Sequence, residues 1–141
     1  MAATRAHRRR RRRKGMGRDD LRRHLAPTAT IRERVEGLLA VGLSAAELSE
    51  VTRTTESTVR NWVAGDTEPR PDAEMALDYL RAVAKALLDG GMAPDRALRW
   101  LMSLDPDRFG TERPIDVLRT TPMRVLSAAL DVTLDEPGVV V

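Results

Sequence analysis

The chain has 141 residues, of which 42% are hydrophobic and only 3% aromatic, so we expect a core of leucine, valine, alanine and methionine. It contains no cysteine, which excludes disulfides and thiolate metal sites. No apolar run is long enough to cross a membrane and no stretch has the apolar core of a secretory signal, so we expect a cytoplasmic protein without a membrane partner. The sequence has no arrangement typical of a catalytic triad, a metal site or a phosphate-binding loop, and we predict neither an enzyme nor a cofactor.

The positive charge is concentrated at the N-terminus. The formal net charge is +3, and residues 1–14 carry eight positive charges and no acid, so the rest of the chain has a net charge of −5. An acidic body is unfavourable for binding nucleic acid unless it carries a local basic surface. Arg53, Arg60 and Arg70 are the residues that can supply such a surface.

Residues 1–27 show no regular periodicity, and we predict a disordered basic arm that contains at most a short helical turn at residues 21–25. The arginine run repels itself and stays solvated. We leave three interpretations open: an arm that lies along DNA, a disordered tail, or a start codon placed too far upstream, with Met16 as the alternative start.

The first helix is predicted after Thr30. Thr30 and Glu33 have the spacing of a capping box, and Gly42 is a suitable end. Apolar residues then recur at helical spacing, at Ile31, Val35, Leu38 and Leu39.

Residues 43–65 predict two short helices joined by a tight turn. Ser44 and Glu47 form a second capping box, residues 52–55 favour a turn, and Gly65 suits a left-handed helix end. The second helix has one apolar face, formed by Val59, Trp62 and Val63.

This geometry predicts a helix-turn-helix whose second helix enters the major groove of DNA. Arg60 is suited to guanine, Asn61 to adenine, and Glu56 to the cytosine amino group. The predicted DNA-contacting residues are Arg53, Thr55, Glu56, Ser57, Arg60 and Asn61. An ordinary antiparallel helix pair without a DNA role is the alternative.

This stretch resembles the helix-turn-helix of Xre/Cro-like regulators. The resemblance lies in the small Ser49, the turn at Arg53, the run of two hydroxyl residues and an aliphatic residue at 57–59, Trp62 and Gly65. The family often has Leu-Gly-Val through the turn, where this chain has Thr-Arg-Thr at residues 52–54.

The C-terminal half is predicted to be helical. Residues 66–71 read as a loop blocked by Pro69 and Pro71, and Asp72 is the predicted N-cap of a long helix over residues 73–89. Its apolar face is broader than a helix-turn-helix alone requires.

Further helices are predicted to start at Pro94, Pro114 and Pro122, with a loop at residues 104–113. Trp100 is predicted to be a packing anchor. The predicted inward positions of the last helix are Val125, Leu126, Ala129 and Leu130.

The C-terminal half is similar to the C-terminal domain of the MbcA/ParS/Xre antitoxin family. The similarity rests on RALRWL at residues 96–101, RPIDVL at 113–118, RVL at 124–126 and a terminal Gly-Val; with the helix-turn-helix it covers residues 30–141. The resemblance implies an all-α protein with a helix-turn-helix domain in residues 28–71 and a helical toxin-binding and dimerisation domain in residues 72–141.

The resemblance further implies an antitoxin that neutralises a RES-type toxin, which degrades NAD, and that represses its own operon by binding promoter DNA as a homodimer. The predicted toxin-contacting residues are Arg113, Gly138, Val139, Val140 and Val141. Alternatively, Arg113 satisfies a helix end or binds an internal acid, and the apolar tail frays or packs on its own domain.

Two other functions remain open at this stage. One is a stand-alone Xre-type transcriptional regulator without a toxin partner, in which the C-terminal half serves only dimerisation. The other is a helical interaction module without a DNA role, which the acidic body favours.

Overall fold

Every regular element that the structure describes is an α-helix. The computed structural model describes residues 16–135, except for the side chain of Asp135. The helices are α1 (Arg18–His24), α2 (Ile31–Val41), α3 (Ala45–Thr52), α4 (Glu56–Ala64), α5 (Pro71–Asp89), α6 (Pro94–Met102), α7 (Pro106–Phe109), α8 (Pro114–Leu118) and α9 (Pro122–Asp135). The predicted all-α fold class is confirmed.

The long helix α5 organises the packing. It contacts α2 and α3 on one side and α9 on another, and it also contacts α1, α6 and α8. Leu77, Leu80, Val83 and Leu87 of α5 are fully buried because they recur at helical spacing on one face. One hydrophobic cluster includes residues from both sides of the predicted domain division at residues 71–72, so that division does not separate two cores.

Helix ends follow local sequence signals. The capping box of α2 has both of its hydrogen bonds, with Glu33 N donating to Thr30 Oγ1 (3.1 Å) and Thr30 N donating to Glu33 Oε1 (2.8 Å). The hydrogen bond that the Thr30 backbone N–H donates to the Glu33 carboxylate holds the pKa of Glu33 below its usual value. Helices α6, α8 and α9 begin at Pro94, Pro114 and Pro122, as predicted.

The disordered arm was predicted to reach residue 27, but the structure is helical before that point. Residues 18–24 form α1, and Leu21 and Leu25 are buried against the body. Arg81 Nη1 donates to the Leu25 carbonyl at 2.7 Å, and Arg18 Nη2 donates to the Leu88 carbonyl at 2.9 Å. The boundary at residue 27 is therefore wrong, because Leu21 and Leu25, four residues apart, fall on one face of this helical stretch and are buried.

Two helix starts differ from the prediction. Helix α5 begins at Pro71, one residue before the predicted N-cap Asp72, and Arg70 is its N-cap residue. Proline at the first helical position needs no backbone donor, so it starts this helix rather than blocking it. The predicted loop at residues 104–113 contains the short helix α7.

The last helix is rotated relative to the predicted face. Leu130, predicted to face inward, is 51% exposed, whereas Ala128 and Thr133 are buried with the correctly predicted Val125 and Ala129. Small residues line the seam because α9 packs closely against α5.

None of the helices in residues 16–135 has both the length and the apolar character needed to span a bilayer.

Candidate nucleic-acid interface

Helix α3 is defined at its start by the predicted capping box. Glu47 N donates to Ser44 Oγ (3.1 Å) and Ser44 N donates to Glu47 Oε1 (2.7 Å). Leu48 and Val51 are buried, which fixes the helix on the core. The helix therefore forms a well-anchored first member of the pair made by α3, the turn and α4.

The turn is built around Arg53, which adopts the left-handed conformation with φ 57° and ψ 45°. It is the one non-glycine residue with positive φ in the described part of the chain. Thr54 N donates to the Ser49 carbonyl at 2.9 Å, and the Thr52 and Thr54 hydroxyls are 2.9 Å apart. These bonds hold a conformation that costs a residue with a Cβ about 1–2 kcal/mol.

Helix α4 is capped at both ends. Thr58 N donates to Thr55 Oγ1 at 3.1 Å, and Gly65 closes the helix with φ 81°. Val59 and Trp62 are buried, and α4 packs against α2 and α3. Because these two side chains anchor one face, the opposite face of α4 is directed outward.

The structure brings the predicted DNA-contacting residues together: Arg53 lies in the turn, Thr55 is the N-cap of α4, and the other four lie along α4 itself. Five of them are exposed, namely Arg53, Thr55, Glu56, Ser57 and Arg60, and Asn61 is half-buried. Arg60 Nη2 lies 3.5 Å from Glu56 Oε2, so two of the predicted base readers also pair with each other. An exposed pair at this spacing is worth only about 0.3–0.5 kcal/mol, and either side chain can leave it for a better partner.

Beside α4 lies a groove, named here the α4 groove, of about 390 Å³. The turn, one side of α4, and the segment that leads into α5 form its walls. It is lined by Thr52, Arg53, Thr54, Thr55, Thr58, Asn61, Trp62, Thr67, Glu68, Pro69, Arg70, Asp72 and Ala73. From the sequence, Arg70 was predicted only to be a source of positive charge. That it shares a groove with Arg53 was not predicted, since no local pattern connects positions so far apart in the chain.

Arg113, the predicted toxin contact that the structure describes, is engaged within its own chain. Its Nε donates to Asp116 Oδ2 at 2.8 Å and its Nη2 to Asp116 Oδ1 at 3.1 Å. These hydrogen bonds raise the pKa of Arg113 and lower the pKa of Asp116. The alternative in which Arg113 binds an internal acid is therefore observed.

The other predicted toxin contacts, Gly138, Val139, Val140 and Val141, lie outside the described residues. Within residues 16–135, no three histidine or carboxylate side chains converge on a position suited to a metal ion.

No protein-family model, curated protein or solved structure matches this chain.

Proposed function

We propose that this chain is a DNA-binding antitoxin that represses its own operon and neutralises a RES-type toxin. The observation that carries the DNA-binding part is the polar outer face of α4, exposed beside a tight turn while Val59 and Trp62 hold the inner face in the core. The resemblance of the C-terminal half to the MbcA/ParS/Xre antitoxins supports the toxin-binding part.

Helix α4 carries side chains of the types that read base edges. A guanidinium such as that of Arg60 makes two hydrogen bonds to O6 and N7 of guanine, and a carboxamide such as that of Asn61 makes two to adenine. In the unbound protein Arg60 is held by Glu56, with the two side chains 66% and 47% exposed. Binding of guanine by Arg60 releases Glu56, which then accepts from a cytosine amino group or faces solvent.

The first test is a mobility-shift titration with the DNA upstream of the gene, at two salt concentrations. Arg60→Ala and Asn61→Ala are each expected to weaken operator binding by about 1–3 kcal/mol, or roughly 5- to 150-fold, because each removes a bidentate base contact. A homodimer on a two-fold site gives a complex with two chains per operator.

Arg99→Ala is the matched control, because Arg99 is an exposed arginine on α6, which packs against α2, α5 and α8. It is expected to leave operator affinity unchanged. Equal losses for Arg60→Ala and Arg99→Ala would reduce the α4 contact to general charge attraction. Absence of any operator shift by the wild-type chain would refute DNA binding.

The toxin-binding part is tested separately. Co-expression with the RES-type toxin of the same operon is expected to restore growth, and removal of residues 138–141 is expected to abolish the rescue. Three valines buried in a partner contribute about 1.5–3 kcal/mol each before the cost of ordering them. A chain that neither rescues growth nor co-purifies with the toxin lacks this function.

The second candidate is a stand-alone transcriptional regulator. The engagement of Arg113 by Asp116 favours it, because that guanidinium is already satisfied inside the chain. Promoter binding together with failure of toxin rescue would select this candidate.

A further inference from the structure

We propose that Arg53 and Arg70 together bind the DNA sugar-phosphate backbone across the α4 groove, and thereby position α4 for reading bases. This inference rests on the proposed DNA-binding function. It separates two tasks on one surface: Arg60 and Asn61 read bases, whereas Arg53 and Arg70 hold phosphates without reading sequence.

Arg53 is available for an external anion. It is exposed, and within the described residues its side chain has neither a hydrogen bond nor an ion pair, in contrast to Arg60, which is paired with Glu56. Its left-handed backbone is strained for a residue with a Cβ, and glycine would adopt it without strain. Strain of this kind at an exposed corner is a reason to look for function in the side chain that causes it.

Arg70 is held in place by its neighbours. It lies between Pro69 and Pro71, and its extended conformation, with φ −66° and ψ 158°, is the one that a following proline imposes. Its exposed side chain likewise has no hydrogen-bond or ion-pair partner among residues 16–135. Pro71 restricts the backbone of Arg70, so Arg70 loses less backbone freedom when it binds an anion.

The groove between the two arginines suits a phosphodiester better than a base. The Thr52 and Thr54 hydroxyls that line it are bonded within the chain, because Thr52 Oγ1 donates to the Leu48 carbonyl at 2.7 Å and lies 2.9 Å from Thr54 Oγ1. The exposed Thr67 and the Thr55–Thr58 hydroxyl pair, whose oxygens are 2.9 Å apart, offer short donors of the kind that contact phosphate oxygens. The groove borders the side of α4 that carries Thr55, Thr58 and Asn61, so DNA seated on α4 would bring a backbone strand to it.

Two acids line the same groove and oppose an anion. Asp72 Oδ1 accepts a hydrogen bond from Ala73 N at 2.9 Å, at the start of α5, where a carboxylate is stabilised by the helix dipole. Glu68 is exposed and has no such bond within the described region. The proposal therefore makes opposite predictions for neighbouring side chains: loss of Arg70 weakens DNA binding, and loss of the Glu68 charge strengthens it.

The experiment measures operator and scrambled-duplex affinities of the full chain over a range of salt concentrations. Its variants are Arg53→Gly, Arg70→Gln, the double variant and Glu68→Gln, with Arg99→Gln as the control. Each arginine variant is expected to make the slope of log K against log salt about 0.9 less steep, and the double variant about 1.8, because each phosphate contact releases counterions from the duplex.

Operator and scrambled duplex should lose affinity by the same factor in the arginine variants, and Glu68→Gln should bind both more tightly. Arg53→Gly should keep or raise the thermal midpoint, so its loss of affinity is not a loss of folding. If the wild-type chain binds its operator and the arginine variants show the same salt slope as the wild type, this inference alone is overturned. Loss confined to the operator would also overturn it, because the arginines would then be reading bases. Failure of the wild-type chain to bind either duplex would instead refute the proposed function.

Discussion

Replacing Trp62 by alanine is expected to lower the free energy of unfolding by about 3–5 kcal/mol and to abolish DNA binding at assay temperatures near the new midpoint. Trp62 is only 3% exposed and holds α4 against the core together with Val59. A small domain has a total stability of about 5–15 kcal/mol, so the loss is a large fraction of it.

The measurement is urea denaturation followed by circular dichroism and by tryptophan fluorescence. The chain has two tryptophans, so Trp100 is the remaining fluorescence reporter in the Trp62→Ala variant. Trp100 is half-buried, and its ring meets that of Phe109 edge-on, with the ring centroids 6.2 Å apart. Because the cluster that contains Trp62 also includes Phe109, both signals should give the same midpoint.

Trp62→Phe is the matched control. It keeps an aromatic ring in the core and is expected to cost clearly less than the alanine variant, since less volume is lost. A Trp62→Ala variant that unfolds within about 1 kcal/mol of the wild type would show that α4 is not anchored by this side chain.

Replacing Gly90 by alanine is expected to destabilise the protein by about 3 kcal/mol, at the upper end of the cost of overpacking. Gly90 has φ −76°, so alanine fits its backbone without strain. An added Cβ would overlap with Cβ and Cγ2 of Thr133 and would lie 2.7 Å from its Oγ1. Thr133 is buried on α9, and its Cβ is fixed to the helix backbone, so α9 itself must move away from α5.

Two other glycines separate this steric effect from other causes. Gly65→Ala meets no atom within 4 Å but forces a residue with a Cβ to φ 81°, and is expected to cost about 1–2 kcal/mol from backbone strain alone. Gly17→Ala meets neither obstacle and is expected to be nearly neutral, since its φ is −72°. Thermal denaturation of the three variants provides the ranking. If Gly90→Ala costs no more than Gly65→Ala, then α5 and α9 are not packed as closely as described.

The local signals in the sequence predicted where most helices begin and end. The capping boxes at Thr30 and Ser44, the prolines at 94, 114 and 122, and the left-handed Gly65 act within three or four residues. Such signals can be read from one stretch of sequence because all the interacting atoms belong to it. The clustering of Glu56, Ser57 and Arg60 on the outer face of α4 follows from the helical periodicity of the same stretch.

The burial of several leucines and the grouping of distant arginines depended on tertiary packing. The burial of Leu21 and Leu25, the exposure of Leu130, and the groove shared by Arg53 and Arg70 all involve residues far apart in the chain or the rotation of a whole helix. The prediction of a disordered arm through residue 27 was wrong at α1, because it extended the composition of the adjoining arginine run to a segment whose two leucines pack on the body. Even the short-range pairs at Glu56 and Asp116 do not follow from the sequence, since spacing allows an ion pair but does not choose it over solvent.

The sequence by itself determined an all-α chain, the two short helices joined by a tight turn at residues 52–55, and the polar residues along the second of them, because caps, turn and periodicity are local. Only the tertiary structure decided which leucines are buried and which two arginines share a groove, and only the three-dimensional structure showed which arginines are already paired. That choice depends on competition between internal acids and solvent, and the energies involved are small and set by distance in space rather than by order in the chain.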